Sequence, residues 1–240
     1  MLAALMRTAR RRPALTVAGS YLAVALAALG RSVRPGRTLV AADLLTIVPP
    51  YSALPGAQPG HNPLLSDIPY QFYPWFRFVA DALRDGHLVG WNPSILGGVP
   101  VNPNSFFSAL YPPTWLAAMM GPFDAYNLFV VLHLAWAALG TYAWSRTLGV
   151  SRRAAWVTGL LTFAAAFWVH WSLHLGHLVA FVWLPWILAA LHRTIVGASV
   201  GRAALLAVAV GAWWLGGNPQ FVYNGALVAA VYGVALMAGG

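Results

Sequence analysis

The 240-residue chain contains no cysteine, no lysine and no glutamate. Without cysteine, disulfides, thiolate metal sites and thiol catalysis are all excluded. Without glutamate, the zinc-protease pattern HExxH has no general base, and it does not occur. Carboxylates are scarce: the five acids are all aspartates, Asp43, Asp67, Asp81, Asp85 and Asp124. Neither GxxxxGKS/T nor GxGxxG occurs, so no glycine-rich loop for a nucleotide phosphate is present. Charged residues make up 8% of the chain, whereas a soluble domain carries about 25%.

What fills the chain instead is apolar sequence, 60% of all residues. Several uninterrupted apolar runs approach bilayer-spanning length, which reads as an all-α, polytopic membrane protein. The fourteen arginines give a formal charge of +9. They sit in short clusters between apolar runs, where they set topology and meet anionic lipid headgroups. No basic stripe stands apart from those clusters, so nucleic acid is not an expected partner.

Arg146, Arg152 and Arg153 form one basic loop, and Arg193 and Arg202 frame another. By the positive-inside rule both are cytoplasmic. The segments 154–171, 178–192, 203–216 and 221–239 then alternate across the bilayer, after a run from Tyr126 to Trp144 that enters from outside. The first apolar run, 13–30, follows Arg7, Arg10, Arg11 and Arg12. A cleaved signal peptide would share this pattern, but the many later spans make an uncleaved first helix the simpler reading. The expected architecture is a single membrane domain over 1–240. It has about six transmembrane helices, a cytoplasmic amino terminus and a long external first loop over 31–123. Segment 105–121 must then be re-entrant or surface-lying, and Pro112 and Pro113 break it. Arg31, Arg34 and Arg37 would lie outside, an exception that the rule tolerates in long translocated loops.

Within the loop, Ser66 or Asp67 can cap a helix that runs to Gly86, with Pro74 bending it. Phe72, Trp75, Phe76, Val79 and Leu83 make one apolar stripe, expected to lie in the lipid boundary. Asp81 and Asp85 are within helical reach of Arg77 or Arg84 and read as solvated ion-pair partners. Asp67 has no basic neighbour and has Gln71 one turn later. It is either a helix cap or a general base for an acceptor hydroxyl.

His170, His174 and His177 fall at i, i+4 and i+7, one face of a helix. They suit a metal, an interfacial position beside Trp168 and Trp171, or a lipid phosphate. Gly216-Gly217-Asn218-Pro219-Gln220 is a hairpin turn whose Asn218 and Gln220 could also hydrogen-bond sugar hydroxyls or a phosphate. The stretch WNPSILGGVPVNPN is rich in turn formers, yet Trp91 and Asn92 suit sugar stacking and hydroxyl recognition. His133, inside an apolar span, reads as a satisfied core histidine.

The order of several motifs resembles YfhO-like bacterial membrane proteins. They are D-I-P-Y-Q-F-Y-P-W (67–75), L-R-D-G-H-L-V-G-W-N-P (83–93), G-G-V-P (97–100), L-Y-P-P (110–113), H-L-G-H…W-L-P-W (174–186) and G-G-N-P-Q (216–220). The resemblance implies a GT-C type glycosyltransferase fold in the bacterial cytoplasmic (inner) membrane. It also implies a polyprenyl-phosphate sugar donor and a cell-envelope polymer or lipid acceptor. In that class a carboxylate of the first external loop commonly serves as base. By position it is Asp67, with Asp43 second, although Asp43 also reads as an ordinary polar residue where the chain leaves the membrane. No cofactor is required by the sequence, and a divalent metal, which the histidine spacing would suit, has no further support in it. Members of the resembled family are much longer, so the chain reads as the amino-terminal part of a longer architecture. A lipid-linked-sugar transporter or flippase, or a non-catalytic partner, are the competing readings; a transporter would need ionisable groups near mid-membrane.

Overall fold

The computed structural model describes residues 13–57, 60–101, 107–165 and 171–239. Arg7, Arg10, Arg11, Arg12, Trp168 and His170 lie outside the described residues. The protein is an α-helical bundle. Helix α1 (Pro13–Leu29) leads into a long segment carrying a 3-10 helix (Ala42–Ile47), a π-helical turn (Ile68–Phe72) and α2 (Tyr73–Arg84). A two-residue antiparallel pair follows, β1 (Trp91–Asn92) with β2 (Val99–Pro100), with Trp91 opposite Pro100. The segment closes with α3 (Pro112–Trp115) and a 3-10 turn (Leu116–Met119). The bundle continues with α4 (Pro122–Thr147), α5 (Arg152–Ala164), α6 (Leu175–Val196), α7 (Val200–Gly216) and α8 (Pro219–Ala238).

Local chemistry sets the boundaries of these helices. Gly149, at φ +80°, ends α4 where a side chain would be strained. Ser151 caps α5 by accepting from the Ala154 N–H at 3.3 Å, and Ser199 caps α7 by accepting from Arg202 N–H at 3.3 Å. Because the connections 148–151, 197–199 and 217–218 are so short, successive helices run antiparallel. Helix α4 packs on α1, α5 and α6, and α6 also carries α7 and α8. Where α4 meets α6, a Cβ on Gly140 would lie 2.6 Å from the Trp186 indole nitrogen, so only glycine permits that approach.

Three helices, α4 from Phe123, α6 and α8, are long and apolar enough to cross a membrane; α1 and α7 are shorter apolar helices. Helix α5 has 13 residues, about 20 Å at helical rise, so the expected span 154–171 is helical only to Ala164 before the undescribed 166–170.

The segment between α1 and α4 differs from expectation in where its apolar stripe points. Phe72, Phe76 and Val79 are buried inside the protein rather than presented to lipid. Phe76 meets Tyr126 and Phe129 of α4 edge-on, with centroids 5.8 Å apart in both cases. Trp75 stacks on Phe107 at 4.5 Å. The first turns of α4 offer these rings an aromatic surface, and burial there removes them from any lipid boundary. Pro74 lies within one helical run, residues 67–84. It lacks an N–H for a bond to Tyr70, and the chain passes from the π turn into α2 at that point.

Two ends of the bundle result. The loop end gathers the segment 30–121, the start of α6 and the α7–α8 turn, tied together by long-range bonds. Asn127 Nδ2 donates to Ser32 O (3.1 Å) and Arg37 O (3.0 Å), and its Oδ1 accepts from Leu39 N–H (2.8 Å). Ser108 Oγ donates to Gly216 O at 3.1 Å. All five aspartates belong to this end. The opposite end carries Arg146, Arg152, Arg153, Arg193 and Arg202, with no carboxylate among the described residues.

Candidate functional site

The α7–α8 turn anchors the site. Asn218 is the N-cap of α8, its Oδ1 accepting from Gln220 N–H at 2.9 Å, with Pro219 following in the first turn. Its own N–H donates to Gly176 O at 2.8 Å, which sets the starts of α8 and α6 side by side. With Oδ1 used as acceptor, Nδ2 donates to His177 Nε2 at 3.2 Å, so the proton of a neutral His177 ring is assigned to Nδ1. Gln220 projects from the first turn of α8 and is exposed.

Aromatic rings enclose the two histidines. His177 stacks on Trp171 at 4.7 Å and meets Phe221 edge-on at 4.8 Å. His174, almost fully buried, is 5.6 Å from His177 between ring centroids. Phe72 closes the cage, its ring nearly perpendicular to both imidazoles, 5.5 Å from His174 and 5.8 Å from His177. Of the three histidines expected on one helical face, His170 lies outside the described residues. His174 and His177 do not share a continuous helix with the residues before them, because the chain turns at Ser172–His174 and α6 begins only at Leu175. Among the described residues no three His, Asp or Glu side chains form a group able to hold a metal.

Phe72 ends the π turn Ile68–Phe72, and the other side of that turn reaches Asp43. The Tyr70 hydroxyl donates to Leu44 O at 2.6 Å, next to Asp43 in the 3-10 helix. Asp43 is itself engaged, accepting from the His61 N–H at 2.9 Å and facing its Nδ1 at 3.0 Å. The His61 backbone N–H, and then its imidazole, hold the Asp43 carboxyl below the ordinary aspartate range.

Asp67 opens the π turn and behaves differently from a cap. Its side chain makes no capping hydrogen bond, and it is exposed, forming no ion pair among the described residues. Gln71, half-buried, lies between Tyr70 and Phe72 on the same turn. The π turn therefore bridges the Asp43 segment and the histidine cage, bringing Asp43, Asp67, Gln71, His174, His177, Asn218 and Gln220 to one end of the bundle.

Trp91 and Asn92 are not part of that gathering. They belong to the β hairpin beside a separate apolar cluster of Val79, Val89, Val101 and Phe107. Asn92 is buried and its Oδ1 accepts from Ser94 N–H at 2.9 Å, the role of a turn former. Trp91 is 55% exposed, its indole lying over Gly98, which at φ +120° has no side chain in the way. Of the remaining acids, Asp81 receives Arg77 Nη2 at 3.0 Å and Arg84 Nη1 at 2.6 Å. Partial burial opposes its ionisation, but those hydrogen bonds prevail and keep its pKa below normal. Asp85, expected to pair likewise, forms no ion pair among the described residues.

Sequence reading did not single out Phe72 and Phe221 as walls of the cage. The cue was adjacency: each directly follows a polar residue of the site, Gln71 and Gln220. Gly197-Ala198-Ser199-Val200-Gly201 also fits GxSxG spacing, but Ser199 is the N-cap of α7 between two helices. It has neither the strand–turn–helix setting nor the end of the bundle that a nucleophile elbow would need here. Comparison of the chain with known protein families, with curated proteins and with solved structures gives no match.

Proposed function

We propose that the protein is a membrane glycosyltransferase of the GT-C type, similar to YfhO-like proteins. It would transfer a sugar from a polyprenyl-phosphate donor to a cell-envelope acceptor. The observation that carries the reading is the arrangement of the loop end. There an exposed carboxylate, Asp67, without an ion pair among the described residues, opens the short π turn that ends in the ring closing the His174–His177–Asn218 cage. For the orientation we take the end with the short loops of Arg146, Arg152, Arg153, Arg193 and Arg202 as cytoplasmic and the loop end as external. Arg31, Arg34, Arg37, Arg77 and Arg84 at the loop end are the exception that the positive-inside rule tolerates in long translocated segments. The bundle then crosses the inner membrane with about six helices and a cytoplasmic amino terminus.

In the transfer, Asp67 takes the proton of the acceptor hydroxyl as its oxygen attacks the anomeric carbon. The bond from that carbon to the phosphate oxygen breaks, and the configuration inverts. A glycosidase needs a second carboxyl to protonate the departing oxygen. A phosphate leaves as a stable anion, so one base suffices in a chain with few acids. The starts of α6 and α8, set side by side, favour negative charge, and Asn218, His177 and Gln220 supply polar groups for the departing phosphate. Asp43, held by His61, is the reserve candidate for base.

The test uses membranes containing the protein, a labelled polyprenyl-phosphate sugar and a cell-envelope acceptor extract. Transfer by the parent and none by Asp67→Asn at equal expression supports the assignment. Transfer by both variants moves the base to Asp43, and no transfer by the folded parent overturns the reading.

A further inference from the structure

A second feature lies outside the histidine cage, on the other side of the loop segment. A cavity of about 420 Å³ runs along α4, walled by Ala125, Leu128, Phe129, Leu132, His133 and Trp136. From Ala125 to Trp136 the helix rises about 16 Å, so the cavity is an elongated groove rather than a round hole. The 3-10 turn at Leu116–Met119 and Trp183 of α6 close its sides. At its rim Leu116, Leu132 and Trp136 are 49%, 37% and 36% exposed, so the groove is continuous with the apolar outer surface of a helix long enough to cross a membrane.

Water is a poor occupant. The Trp183 indole donates to Tyr111 Oη at 3.0 Å, Tyr111 Oη lies 2.9 Å from His133 Nε2, and His133 Nδ1 lies 2.7 Å from Phe129 O. A carbonyl only accepts, so Nδ1 carries the proton and Tyr111 donates to Nε2. The donors of Trp183, Tyr111 and His133 are thus committed to one another and to Phe129 O, whereas a buried water needs two to four polar partners. An apolar cavity of about 150 Å³ already takes benzene, and this one is far larger. At the upper end, beside Met120, Arg84 is half-exposed; it donates to Ala118 O and Met120 O, each at 3.2 Å, and to Asp81 Oδ1 at 2.6 Å. That one carboxylate is shared with Arg77, so the cluster keeps a net positive charge.

We propose that this groove holds one acyl chain of a bilayer phospholipid, entering sideways between α4 and the 112–120 segment, with its phosphodiester near Arg84. The α4 residues repeat at i, i+3, i+4 and i+7, which presents a continuous apolar strip along the length of such a chain. The proposal rests on the membrane placement of the bundle but not on sugar transfer.

The experiment reconstitutes the protein in phosphatidylcholine nanodiscs containing phosphatidylcholines that carry a photoreactive diazirine at successive positions along one acyl chain. Mass spectrometry maps the adducts. Adducts should concentrate on Leu128, Leu132 and Trp136 over Val231 of α8, whose side chain is also lipid-accessible by its 70% exposure. Filling the groove with Leu128→Trp, or independently Leu132→Trp, should cut labelling of the other α4 positions at least fivefold and leave Val231 unchanged. Equal labelling of α4 and α8, or α4 labelling indifferent to both variants, overturns the proposal. So does displacement of the label by a few mole per cent of polyprenyl phosphate, which would assign the groove to that carrier.

Discussion

Asn218 Nδ2 sits 3.2 Å from His177 Nε2, joining the N-cap of one helix to the first turn of another. One side chain thereby performs two separable tasks, holding the turn with its oxygen and fixing the imidazole with its nitrogen. Asn218→Ala removes both and should lower thermal stability by about 1 kcal/mol, the usual worth of an N-cap. Asn218→Asp keeps the accepting oxygen but cannot donate to a neutral His177. It should hold most of the melting temperature while losing transfer by about tenfold or more, as for one hydrogen bond facing a charge. Melting curves in detergent and label-transfer rates on the same preparations separate the two tasks. Equal loss of both quantities in both variants would leave Asn218 with a structural role alone.

Asp67→Asn isolates the proposed base in the same way. The carboxylate caps nothing and is exposed, so the amide should change the melting temperature little. Transfer should fall by roughly two to four orders of magnitude, the span attributed to a general base. A fall confined to the affinity for donor, with the maximal rate kept, would point to a binding role instead.

Much of the helical framework was legible because apolar runs and their breaks are local. Pro13–Leu29, Val200–Gly216 and the Asn218–Pro219 start of α8 lie close to where composition and capping chemistry put them. The loop segment was only half legible. The stripe of Phe72, Phe76 and Val79 announces a buried face, but its period cannot tell an aromatic protein surface from a lipid boundary, and Tyr126 and Phe129 decided it. The histidines illustrate the same limit: a spacing of i, i+4, i+7 presumes a continuous helix, and the turn before Leu175 interrupts it. Asn92 and Asn218 have the same Asn-Pro signature. Each accepts locally from the N–H two residues on, Ser94 and Gln220, and only the tertiary contact of Asn218 with His177 distinguishes a member of the site from a turn former.

Glycine substitutions test the packing of the loop segment on the bundle. A Cβ on Gly216 would lie 2.6 Å from Cγ of the buried Tyr111 ring, which has no flexible end to move aside. Gly216→Ala should cost about 1–3 kcal/mol, the range for overpacking a core. Gly211→Ala, five residues earlier in α7, meets nothing within 4 Å and should be neutral or stabilising by up to about 1 kcal/mol from helix propensity. Thermal melts of the two variants in one detergent give the comparison, and equal melting temperatures would contradict the Tyr111–Gly216 contact.

The Asp43–His61 contact makes a prediction about acid. Asp43 has a folded-state pKa below its ordinary value, chiefly through the His61 N–H. A depressed carboxyl pKa contributes stability that is fully present above the unfolded value, near 3.9, and is lost as pH falls through the lower folded value. At neutral pH the contact is therefore intact, and its loss belongs to strongly acidic solution. Backbone amide exchange at His61 reports it directly, because that N–H is the donor. Protection of His61 should persist from pH 7 down to pH 4 and decline below, after correction for intrinsic exchange. In Asp43→Ala the protection should be missing at every pH. His61→Ala preserves the backbone donor and should lose only the imidazole's smaller share, so the carboxyl should remain depressed, though less so. A carboxyl that returns fully to the ordinary range in His61→Ala would assign the depression to the imidazole and refute the leading role of the backbone N–H.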